Sequence, residues 1–156
     1  MAEELRNRAE DGIREYRAIR DQLEKLSSLE ASGEVAPGAA TEIREELGGK
    51  ARDVQERCRK TAGEIEETLG KLEVEMGSRV KEREVIEAKH KIGALDEDGY
   101  RERVAALETG ADPIEDSVTE LRELARRLGE VITGPEGADK PAAESEKKRS
   151  EYKGAE

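Results

Sequence analysis

Residues 100–132 read YRERVAALETGADPIEDSVTELRELARRLGEVI, and this stretch decides the fold. Its apolar positions are Tyr100, Val104, Leu107, Ala111, Ile114, Val118, Leu121, Ala125, Leu128 and Ile132, stepping alternately by four and three. A mean period of 3.5 belongs to a helix that buries one stripe against another helix. Charged residues fill the positions between. Asp112-Pro113 falls inside the run, and an Asp N-cap followed by proline at the first helical position starts a helix. A kink or short interruption is therefore expected at 110–113, with the stripe keeping its phase across it.

The same pattern extends outward. Leu5, Ala9, Gly12, Tyr16, Ile19, Leu23 and Leu26 form a second seam, predicting a helix over 2–31. Ile43, Leu47, Ala51, Val54, Cys58, Ala62, Ile65, Leu69, Leu72, Met76 and Val80, with Ile86 beyond, predict a long middle helix over 39–92. The third helix is expected over 97–132, capped by Asp96. Two hinges separate them, one carrying Gly33 and Pro37, the other Gly93 and Asp96. Gly33-Glu34-Val35 and Gly93-Ala94-Leu95 stand 60 residues apart, as do Ala40 and Tyr100, and Leu47 and Leu107, which makes a faint internal repeat. Gly48-Gly49 is the expected kink of the middle helix. Gly63, Gly70 and Gly77 repeat every seven residues, with Gly49 on the same stripe. Close approach of a partner helix is one reading of that stripe, and chance is the other.

Composition agrees with helices and excludes much else. The chain has 156 residues, 43% of them charged, a net charge of −11, 2% aromatic residues, and no Phe or Trp. Leu, Ile and Val contribute only 28 residues, a share at which a highly charged chain is suspected of disorder, so the seams are what argue for folding. Residues 1–132 are expected to form one all-α domain, an extended antiparallel coiled coil of short, long and medium helices. At about 1.5 Å per residue the middle helix would measure about 80 Å, more than either neighbour covers. The outer helices are expected to fold back on its two halves and to meet near Cys58, Ala62 and Ile65. Beyond Thr133 the seams stop, and 133–156 is expected to be a disordered tail, its Lys147-Lys148-Arg149 cluster solvated.

No catalytic, cofactor or metal set is expected, and the protein is read as no enzyme. His90 is the single histidine and Cys58 the single cysteine. Asp96-Glu97-Asp98-Gly99 opens like a calcium loop, but Arg101 and Leu107 stand where that loop needs Gly and Glu. No run of apolar residues is long enough to span a membrane, and the N-terminus lacks an apolar signal region. With one cysteine, a reducing cytoplasm is expected. Acidic balance argues against nucleic acid as partner. What remains is the seam itself, which would bind a second copy or another helical protein rather than a small-molecule substrate.

The segments Leu29-Glu30-Ala31-Ser32-Gly33-Glu34-Val35 and Ile86–Tyr100 resemble the helix-reversal segments of the CdvA-like coiled-coil family of archaea. The resemblance covers about residues 20–130. It implies a scaffold in archaeal cell division or membrane remodelling that recruits ESCRT-III-like proteins, with no catalytic residues. Alternative expectations are a helical adaptor or chaperone-like client binder, and an ESCRT-III-like protein in peripheral contact with a membrane.

Overall fold

A computed structural model describes residues 2–135. They form three helices: α1, Ala2–Ala31; α2, Pro37–Lys91; and α3, Glu97–Ile132. No strand occurs among the described residues, and the fold is all-α. The expected tail lies outside the described residues from 136 onward.

Both reversals use the same backbone device. Gly33 and Gly93 take φ of 81° and 84°, the left-handed region that glycine enters without strain. Glu34 N–H donates to Leu29 O at 2.9 Å and Gly33 N–H to Glu30 O at 3.1 Å. Sixty residues on, Ala94 N–H donates to Lys89 O at 2.8 Å and Gly93 N–H to His90 O at 3.2 Å. This pair of bonds is a Schellman motif, which satisfies carbonyls that the ending helix leaves without partners. The faint repeat of the sequence is thus a repeated helix stop.

The starts that follow differ. Asp96 caps α3, its Oδ1 accepting from Gly99 N–H at 2.8 Å. At the other hinge Ala36 holds the equivalent place, its carbonyl accepting from Ala40 N–H at 2.9 Å, with no side chain to cap. Pro37 belongs to α2 rather than to the hinge, so α2 starts two residues before the expected Ala39. Its missing N–H costs nothing at a position whose N–H has no helical acceptor. The far end falls at Lys91, one residue short of expectation, where the Gly93 motif closes the helix.

Neither of the two expected kink sites breaks its helix. α2 is helical through Gly48-Gly49, and α3 through 110–113. Asp112 and Pro113 are interior to α3 and do not begin a new helix. An interior proline removes one hydrogen bond and crowds the preceding turn, at a cost of about 3 kcal/mol. The unbroken stripe explains why α3 carries it, because Ile114, Val118 and Leu121 directly beyond are all buried. A fully buried Leu or Val contributes about 1.5–3 kcal/mol, so three such residues outweigh the proline.

The described chain divides into two compact units. The first comprises Glu3–Gly63 with residues 126–135 of the described chain, and the second Glu64–Ala125. In the first, α1 and α2 run antiparallel, as shown by Glu30 against Arg44 and Glu15 against Arg57. The end of α3 joins them, Arg127 meeting Glu10 and Val131 meeting Gln55. In the second unit α2 and α3 run antiparallel, with Glu73 against Arg122 and Arg83 against Glu108.

Candidate assembly surface

In the first unit the core is closed. Leu5, Ala9, Ile13, Tyr16, Ile19 and Leu26 of α1 are buried, as are Ala40, Ala51, Val54 and Cys58 of α2 and Leu128 and Val131 of α3. Gly12 faces Cys58 so closely that a Cβ on Gly12 would lie 2.7 Å from Sγ. Burial without a charge partner strong enough to offset it pushes the Cys58 thiol pKa up, so the thiol stays protonated. Gln55 is fully buried, its Nε2 donating to Val131 O at 2.8 Å while Oε1 has no partner. Arg127 grips Glu10 with both terminal nitrogens, at 2.9 and 3.0 Å, and this hydrogen bond holds the Glu10 carboxyl below the usual carboxylate range.

Three expected seam positions in this region are less buried than the pattern implies. Ile43 is 39% exposed rather than buried, because the first turns of α2 have one neighbour, α1, and Ile43 stands at the edge of that contact. It edges a shallow groove with Leu26, Leu29, Val35 and Leu47. Leu23 and Leu47 are half-buried.

The second unit is two helices thick, and its seam is only partly covered. Ile65, Ile86, Ile114, Val118, Leu121 and Leu124 are buried. Between them Leu69, Leu72, Met76, Val104 and Leu107 remain half-buried, as does Tyr100 at the hinge. Val80 does not join the seam as expected: it is 58% exposed, and Val74 and Val85 are 75% and 53% exposed. A single partner helix covers one narrow stripe, and apolar residues to either side stay in water.

Arg79 explains the thinness at the centre of this unit. Its guanidinium lies against Gly110, where an added Cβ would stand 2.5 Å from Nη1. A cation thus occupies the place of an apolar knob, with Nε buried and without a hydrogen-bond partner. Glu75 stands 3.8 Å from Nη2. Grooves open on both flanks of this contact. One, about 700 Å³, has Val85, Ile86, Ala106 and Leu107 in its lining; the other, about 420 Å³, has Met76, Val80, Leu107 and Ala111.

The second hinge closes this unit by polar and aromatic contacts. His90 stacks on Tyr100 at 4.2 Å between ring centroids and 15° between planes, and its Nε2 lies 3.1 Å from Glu97 Oε1. Lys89 and Lys91 in the last turn of α2, and Glu97 and Asp98 in the first turn of α3, each match the partial charge of their helix end. Among the described residues no group of three or more His, Cys, Asp and Glu could hold a metal ion. No described helix is long and apolar enough to cross a membrane.

Sequence reasoning missed Ile13, Gln55, Leu124 and Val131, all buried. For three of them a signal was present, a seam residue directly beside them in Gly12-Ile13, Leu124-Ala125 and Val131-Ile132, which widens the stripe; Gln55 gave none. No protein-family model, no curated protein and no solved structure matches the chain.

Proposed function

We propose that this protein is a non-enzymatic helical scaffold whose copies associate through helix faces, in the cytoplasm. One observation carries the reading. The second unit leaves Val74, Val80 and Val85 more than half exposed beside a half-covered seam, on a chain too poor in apolar residues to spend them at random. Apolar stripes of this kind, rimmed by charge, are what helical partners bury. Self-association is the occupant that needs no second protein, and the mechanism is burial of these uncovered flanks, with neighbouring charges selecting the contact. The likeness of the two hinge segments to CdvA-like proteins supports cell division or membrane remodelling as the setting of such a scaffold.

Sedimentation velocity over about a hundredfold range of concentration tests the reading, since association is a mass-action effect. Growth in mass with concentration is expected. A monomer at every concentration would remove the self-assembly reading and leave a helical adaptor in its place.

A further inference from the structure

The two grooves of the second unit carry opposite charge. Successive residues of a helix turn by about 100°, so Ser78, Glu82, Val85 and Lys89 project to one side of Arg79, and Met76, Val80 and Arg83 to the other. On α3 the same division puts Arg103 and Ala106 with the first set, and Glu108, Ala111, Asp112 and Glu115 with the second. The grooves therefore lie on opposite faces of the hairpin.

Ion pairing within the chain sharpens the contrast. On the first face Glu75 is the acid nearest Arg79, leaving Lys89 and Arg103 against a single further acid, Glu82. On the second, Arg83 is spent on Glu87 and Glu108, at 3.3 and 3.2 Å. That leaves Asp112 and Glu115, both exposed, with no cation bound to them among the described residues. Each face has an apolar floor, Val85 and Ala106 on the basic side, Val80 and Ala111 on the acidic side.

We propose that these faces are the two halves of a head-to-tail contact between copies of this chain: the basic face, with Lys89 and Arg103, seats the acidic face of the next copy, with Asp112 and Glu115. The inference rests on the assembly reading above and specifies its geometry. Two like faces meeting would set cation against cation or acid against acid, which disfavours a two-fold dimer through either groove. A contact between different faces of identical chains does not close on itself at two copies. It continues into a ring or an open filament.

Two charge reversals test this, K89E/R103E on the basic face and D112K/E115K on the acidic face. All four positions are exposed, and circular dichroism checks that helix content is kept. In sedimentation velocity, each variant alone is expected to need about tenfold or more higher concentration than the parent to associate. Mixed one to one, the variants regain complementary faces at every contact, and assemblies larger than dimers are expected to return. Should either reversal lower helix content, the neutral variants K89Q/R103Q and D112N/E115Q read the same contact, each expected to weaken association less. A parent chain that associates while each variant alone does so equally well would overturn the head-to-tail contact but not self-assembly. A mixture that stops at dimers would show like faces pairing instead. A parent that stays monomeric overturns both readings.

Discussion

Gly12 of α1 and Cys58 of α2 meet in close contact, and the site gives a two-residue test of the first unit. A methyl group on Gly12 would overlap the Cys58 sulfur, which is buried, so one of the two must shift. Gly12→Ala is expected to destabilise by about 1–3 kcal/mol, the usual cost of overpacking, despite the better helix propensity of alanine. Cys58→Ala leaves a small cavity, and the double variant fills it. The double variant should therefore be more stable than the sum of the single changes predicts, a non-additivity that urea denaturation measures directly. Additive losses would mean that the two helices do not touch there. Glu10 supplies the pH test. Its pKa is lowered in the folded state by the Arg127 hydrogen bond, so the unfolded chain binds its proton first as pH falls. The contribution of the pair is present above the ordinary glutamate range and is lost as pH drops through the depressed folded value. Glu10→Gln should flatten the acid limb of the urea midpoint against pH and leave its shape above neutrality unchanged. Gln55 shows what was illegible at this scale. A glutamine among charged residues looks like surface, and only the arrival of α3 on a second side of α2 makes it core.

Among the elements, the seams, the hinges and the Asp96 cap were legible because each depends on local chemistry: a 3.5-residue period, a glycine with positive φ, an Asp side chain at a helix start. The helix-start signal of Asp112-Pro113 misled for the same reason. Asp-Pro is a start signal locally, and the buried stripe of Ile114, Val118 and Leu121 overrides it. Exposure of Ile43 and Val80 was illegible because periodicity says which residues share a face, not how wide the neighbour on that face is. The glycine stripe of α2 is settled within the chain: a Cβ at Gly63, Gly70 or Gly77 meets nothing within 4 Å. These glycines thus weaken α2 without serving a contact inside the molecule. Replacing each with alanine is expected to stabilise by about 0.8–1.0 kcal/mol in the helix interior, so the triple variant should gain about 2–3 kcal/mol, read from thermal or urea unfolding. If the triple variant is instead no more stable, and loses association in sedimentation, the stripe is a surface for another copy and close approach is its reason.

For the molecule as a whole, the thickness of each unit sets how readily it opens. The first unit buries residues from three helices around Gln55 and Cys58, while the second depends on one helix pair interrupted by Arg79. Local opening costs less where fewer apolar side chains are exposed by it. In dilute solution, amide hydrogen exchange should therefore be slow over 51–61 and faster over 75–91 and 103–115. Assembly changes this difference in a specified direction. A contact that binds only the folded hairpin adds stability by mass action, by about 2.7 kcal/mol when free chain reaches a hundred times the dissociation constant. Raising the protein concentration should therefore slow exchange over 75–91 and 103–115 while leaving 51–61 unchanged, because the closed core gains no new partner. Exchange that is equally slow in both units at high dilution would contradict the thin hairpin. Exchange that is fast in the hairpin and unaffected by concentration would instead preserve the hairpin and refute its role as the surface through which copies meet.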